Sequence, residues 1–273
     1  MAVLQINTGP EGPRLQASPG ALAPALRLAL ASTGPIVIMI HGYKFDPTHR
    51  QTCPHRHILS LSPKRDCVKA VSWPRGLGFS GQVTGEGLAI GFGWFARGTT
   101  WGAYGRAAQA GRALAELIEM IARLAPDRPL HLLAHYLGAR VALTALPHIK
   151  TARVGRVILL SGADYGQTAR EALQSPAGQS TENHQCHQPR ERPVRFPAGA
   201  LGDAARAGRL DTVTWNAANA QYTDPAAGSS RNFTGFARGR LRDRPARRTH
   251  LPLVLLQPAR GLSALPRPLA AAR

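Results

Sequence analysis

Residues 130–143 read Leu-His-Leu-Leu-Ala-His-Tyr-Leu-Gly-Ala-Arg-Val-Ala-Leu. Leu130 to His135 is an apolar run of strand length, and the next segment reads as a helix that stops near Pro147. A chain that passes from strand to helix this abruptly folds tightly on itself at its apex, Tyr136. It needs small residues two before and two after that apex, and Ala134 and Gly138 supply them.

Upstream, Pro35 to His41 (PIVIMIH) is a continuous apolar run rich in β-branched residues and bounded by Gly34 and Gly42. That is the pattern of a strand buried on both faces, as in a parallel sheet. Val68 to Trp73 is a second short strand candidate, stopped by Pro74. From Ala103 to Leu124, the residues Ala107, Ala110, Leu114, Leu117, Ile118, Ile121 and Leu124 recur at three and four, which predicts a helix with one buried stripe. Arg156 to Ser161 (RVILLS) is a further strand. Strands alternating with helices predict an α/β fold around a mostly parallel sheet.

The spacing Ala134-His135-Tyr136-Leu137-Gly138 is that of a G-x-S-x-G nucleophile elbow, with Ala for the first Gly and Tyr at the apex. About 95 residues upstream, His41-Gly42-Tyr43 closes the buried strand. Taken with VILLSGADY, these segments resemble the α/β-hydrolase family, specifically small bacterial esterase/lipase-like members, over roughly residues 30 to 175. The resemblance implies a three-layer sandwich and hydrolysis of a small-molecule carboxylic ester through an acyl-serine, without a cofactor. It places the nucleophile at position 136 and the oxyanion-binding N–H groups at Leu137 and near Tyr43. Asp164 is a candidate acid after the third strand, or else the cap of the following helix.

Tyr136 departs from that pattern. A phenol, with an ordinary pKa near 10, reaches farther than a serine hydroxyl and does not fit the Ser–His–acid mechanism. A pseudoenzyme is the expectation.

Elsewhere, His49, Cys53, His55, His57 and Cys67 cluster within twenty residues, but Pro54 breaks any helix that would align them. A lid or excursion loop is predicted there, with no metal. Gly85 to Trp94 is glycine-rich without a phosphate-loop Lys-Ser/Thr and reads as a loop, with Trp94, Phe95 and Trp101 beside a substrate pocket. The N-terminus lacks the basic start and apolar block of a signal peptide, no run approaches a membrane span, and three scattered cysteines suggest no disulfide framework. A cytoplasmic protein is expected.

The charge is uneven. The chain carries a formal +19, and 30 of its 34 basic residues are Arg. Residues 183–273 hold fifteen Arg, nine Pro, five acids and no Lys, Ile or Met, and therefore ten of the nineteen net charges. One reading is a disordered basic tail that binds nucleic acid through its phosphates. Against it, the arginines form no single block and aromatics for base stacking are few.

A second reading is a GC-rich gene translated out of frame. With allowed codons, Glu182 to Arg195 read one base later gives Lys-Ile-Ile-Asn-Val-Thr-Ser-Arg-Glu-Asn-Asp-Leu-Phe, a strand and an acidic turn. Thr249 to Gln257 read the same way gives a His-bearing segment. The division expected is thus a hydrolase-like core over 1–182 and an irregular Arg/Pro-rich region over 183–273 that lacks the sheet's last strands, the triad acid and the triad His. His148, His184, His187 and His250 have no context that places them over the elbow.

Overall fold

The computed structural model describes residues 3–18, 21–63, 71–83, 85–186, 214–216 and 221–223, with backbone alone for Cys186 and the last two segments. The sheet opens with β1 (Val3–Gly9) and β2 (Gly12–Leu15), an antiparallel pair. The chain continues through α1 (Leu22–Leu30), β3 (Ile36–Ile40), the short α2 (Trp73–Gly76), β4 (Leu88–Gly93) and α3 (Thr100–Leu124). It then forms β5 (Leu130–His135), α4 (Gly138–Ala145), β6 (Arg156–Leu160), α5 (Gly166–Gln174), α6 (Pro176–Gln179) and β7 (Glu182–Cys186). The strand order is β2-β1-β4-β3-β5-β6-β7, and every pairing except β1 with β2 is parallel. Two further strands, β8 (Thr214–Asn216) and β9 (Gln221–Thr223), pair antiparallel as a separate ribbon.

The α/β expectation holds. Alternate residues of the central strands serve two cores. Ile36, Ile38, Ile40, Ile90, Leu132 and Leu159 face α1, α3, α4 and α5, whose apolar stripes bury against them. Val37, Met39, Ala89, Leu133 and Ile158 face the other way, where Leu59, Trp73 and Phe79 cover them.

Connection handedness explains this asymmetry. Parallel strands are joined by right-handed crossovers. The links from β4 to β5, β5 to β6 and β6 to β7 all step the same way along the sheet and cross one face, whereas β3 to β4 steps back and crosses the other. The third layer is therefore an excursion between residues 41 and 87 rather than a second set of long helices.

Local chemistry sets the boundaries. Thr99 caps α3 by accepting from Gly102 N (3.1 Å), and Ser72 caps α2 by accepting from Arg75 N (3.3 Å). The Ser72 cap and Pro74 in the first turn make Trp73 a helix start, which corrects the strand expected over 68–73; residues 68–70 lie outside the described residues. The glycine-rich stretch read as a loop is instead β4, a central strand. Its glycines answer to packing, since a Cβ at Gly91 would lie 3.1 Å from His55 Nδ1 and one at Gly93 would lie 2.8 Å from His55 Nε2. The pattern after residue 182 does not end the sheet either, because β7 pairs with β6 from Arg156–Glu182 to Leu160–Cys186.

Candidate functional site

In open α/β sheets, sites form outside the carboxyl ends of neighbouring strands whose connections leave on opposite faces. Here that point lies between β3, which departs over the excursion face, and its neighbour β5, which departs through α4. Ile40 pairs with Ala134, so His41-Gly42-Tyr43 and His135-Tyr136-Leu137 emerge side by side.

The two segments are pressed together. A Cβ at Gly138 would lie 2.6 Å from the His41 carbonyl oxygen and 2.8 Å from that of Ile40. A Cβ at Gly42 would lie 2.8 Å from the His135 carbonyl oxygen and 2.9 Å from Tyr136 Cβ. Both positions exclude any side chain because backbone cannot yield. Ala134 is fully buried in the helix-side core, where a small residue fits.

Tyr136 itself sits at φ 52°, in the left-handed region. For a bulky non-glycine residue this costs on the order of 1–3 kcal/mol and persists only where surroundings enforce it. Three hydrogen bonds do so: Tyr136 N donates to Leu160 O (2.9 Å), and Tyr136 O accepts from Ala139 N and Ala163 N (3.0 Å each). The side chain is half-buried, and Leu137 is buried directly before α4.

His41 does a different job. It is fully buried, its Nε2 accepts from Trp94 N (3.0 Å), and Nδ1 therefore carries the proton donated to Gly42 O (2.9 Å). Burial drives its pKa down to about 3, so the ring is neutral. Trp94 stacks on it (5.7 Å, 8°) and donates its indole N–H to His41 O (3.0 Å). The ring fastens the end of β3 to that of β4. Trp94 is thus core rather than pocket wall, whereas Phe95 is exposed with Arg106 over its ring, and Trp101 meets Tyr104 edge to face.

Tyr43 donates its hydroxyl to Gly98 O, and Lys44 N to Ala96 O (2.8 Å), which ties the turn after β3 to that after β4. The His135 ring lies edge-on to Trp73 at 6.0 Å.

Asp164 is 2% exposed. It is not the helix cap, because Tyr165 occupies that position; instead Asp164 Oδ1 accepts from Arg140 (2.9 Å), Tyr104 Oη (2.9 Å) and Tyr165 N (2.8 Å). Arg140 also stacks over the Tyr104 ring at 3.5 Å and donates to the Tyr104 carbonyl. Burial raises the carboxyl above the ordinary range and Arg140 opposes this; burial and Asp164 likewise raise the Tyr104 phenol. The network joins α3 and α4 to the turn that holds Tyr136 O. One faint sign of it stands in the sequence: Arg140 is a lone charge in an otherwise apolar helix.

No family model matches the chain, and no curated protein matches it. Among solved structures, it is similar to a lipase-esterase related protein from Clostridium acetobutylicum ATCC 824. The identity is 12%, over 52% of this chain and 51% of that one, with a TM-score of 0.25. The chain spans about half the length of that protein.

In the excursion, Cys53, Pro54, His55 and Leu59 are buried, so this part is docked on the sheet rather than a free lid. His55 Nε2 donates to Asn7 Oδ1 (2.7 Å) while Asn7 donates to Gln16. Burial lowers the His55 pKa to about 4 and raises the Cys53 thiol. Among the described residues no three His, Cys, Asp or Glu converge on one point, and no helix is long and apolar enough to cross a membrane. Cys67 lies outside the described residues.

Proposed function

We propose that the chain carries an α/β-hydrolase-type core of esterase/lipase-like lineage whose nucleophile position is filled by Tyr136, leaving it without ester hydrolase activity. The observation that carries this reading is the left-handed backbone of Tyr136, enclosed between the Gly42 and Gly138 approaches at the β3/β5 switch point. In a serine enzyme of this lineage, that backbone lifts the hydroxyl clear of the sheet, where a histidine takes its proton. The N–H groups of Leu137 and Tyr43 would face the oxyanion as charge develops on the ester carbonyl.

The present chain keeps the backbone part and lacks the chemistry. The imidazole at the end of β3 is spent, since His41 uses both nitrogens on backbone. Asp164 already holds Arg140 and Tyr104. A phenol with an ordinary pKa near 10 stays protonated at neutral pH unless a base takes its proton, and its ring carries the hydroxyl farther from the backbone N–H groups than a serine side chain would.

Incubation with p-nitrophenyl esters and a fluorophosphonate tests this. The expected result is turnover equal to that of Tyr136→Phe and no covalent adduct. An adduct on Tyr136, lost in Tyr136→Phe, would overturn it. The nucleic-acid alternative falls on residues that, apart from β7 and the backbone of β8 and β9, lie outside the described ones.

A further inference from the structure

The turn after β3 and the turn after β4 are built as one piece. Lys44 N donates to Ala96 O (2.8 Å) and Ala96 N to Phe45 O (2.9 Å), while the Tyr43 hydroxyl donates to Gly98 O. Arg106, from the second turn of α3, lies on this piece. Its Nε donates to Phe95 O (3.0 Å), its Nη2 donates to Arg97 O, and its guanidinium carbon stands 4.6 Å from the centre of the Phe95 ring. Lys44, Arg97 and Arg106 are thereby gathered beside Tyr43, at the end of β3 where the switch point lies.

None of these three cations meets a carboxylate among the described residues. The ion pairs there join Arg140 to Asp164, and both Arg156 and His184 to Glu182. Asp46, two residues from Lys44, is buried and accepts on Oδ1 from Thr48 N (2.9 Å) and Thr48 Oγ1 (2.7 Å). Nor does the backbone call for a lysine at position 44, which is exposed at φ 79°, in the left-handed region where glycine is unstrained. Three uncompensated cations beside a crevice repel one another and concentrate anions from solution.

The arrangement fits a short ligand of high charge. A phosphoryl group offers three oxygens to three cations, and arginine suits it well. A nucleic-acid strand needs open ring faces in series and phosphate contacts spread along a groove. Here the cations are confined to two adjoining turns and the second turn of α3, Arg106 covers one face of Phe95, and the Tyr43 hydroxyl is tied to backbone.

We propose that Lys44, Arg97 and Arg106 form a binding site for the phosphoryl group of a small ligand at the rim of the β3/β5 crevice. The site rests on the two turns and not on residue 136, so it and the hydrolytic reading can fail separately. The chain's four lysines are Lys44, Lys64, Lys69 and Lys150, and residues 183–273 have none, so lysine acetylation reads the core free of the Arg-rich region. The full chain is treated with N-hydroxysuccinimidyl acetate at low ionic strength and rising sodium pyrophosphate, and each lysine is followed by peptide mass. At saturation Lys44 should react about ten-fold more slowly, with exposed Lys150, beyond the far end of α4, unchanged. Arg97→Gln should raise the half-protecting concentration about ten-fold, Arg97→Lys should keep it within about three-fold, and Arg123→Gln should leave it unmoved. Lys44 unprotected at about 10 mM pyrophosphate, Lys150 protected equally, or a midpoint indifferent to Arg97→Gln would overturn the proposal. So would protection by an oligothymidylate at a lower phosphate concentration than pyrophosphate requires, the mark of a nucleic-acid strand.

Discussion

Gly138 lies directly under the backbone of His41: a Cβ placed on it would stand 2.6 Å from the His41 carbonyl oxygen. The start of α4 and the end of β3 are therefore in close contact, and the turn between β5 and α4 depends on a missing side chain. Gly138→Ala should destabilise the fold by about 2 kcal/mol or more, although Ala is ordinarily the better helix residue by about 1 kcal/mol. Urea unfolding checks it; a neutral or stabilising effect would mean the contact is absent.

Position 136 should invert the usual preference for alanine over glycine. At φ 52° a Cβ is strained and glycine is not. Tyr136→Gly should be more stable than Tyr136→Ala by about 1 kcal/mol. Comparing these two variants removes the common loss of the phenol ring.

His41 and His55 should make the fold acid-sensitive. Both are held neutral by burial, at about 3 and about 4 against an ordinary 6.5. Their folded pKa values are lowered, so the unfolded chain binds more protons between those values and 6.5. Stability is full above pH 6.5 and falls as pH drops through that window, by up to about 4 kcal/mol for the two together at pH 5. Urea midpoints from pH 7.5 to 5 check the slope, and ¹⁵N imidazole spectra should show His41 protonated on Nδ1 and His55 on Nε2.

Arg140→Met removes the cation beside a carboxylate that is 1% exposed. The expected loss is about 3–5 kcal/mol at pH 7.5. Because burial already raises the Asp164 pKa and losing Arg140 raises it further, the loss relative to the parent should shrink as pH falls and the carboxyl takes up a proton. Asp164→Leu in the same chain should recover part of it, and a pH-independent loss would contradict a buried ion pair at this position.

Much of this fold was legible where the strands are uniformly apolar. Ile36–Ile40, Leu130–His135 and Arg156–Leu160 fall within one or two residues of their predicted spans, and Thr100–Leu124 extends its predicted helix by three residues. β4 was missed because Gly91 and Gly93 look like loop residues until the buried His55 that needs their bare backbone is in place. Trp73 misled because its apolar run precedes Pro74, and the Ser72 cap carried the better signal. The Ala134-x-x-x-Gly138 spacing disclosed the turn. The roles of His41 and Asp164 depend on Trp94, Tyr104 and Arg140, which lie 24 to 60 residues away and leave no local pattern.

Whether position 136 stands at the apex of an elbow is decided by the pH dependence of alkylation of Tyr136→Cys, mapped by peptide mass to that position. A thiol lifted from the sheet at the start of α4 should react in the folded protein with an apparent pKa below the ordinary value of about 8.5. A cysteine there that reacts only on unfolding, or with a raised pKa, would contradict the elbow.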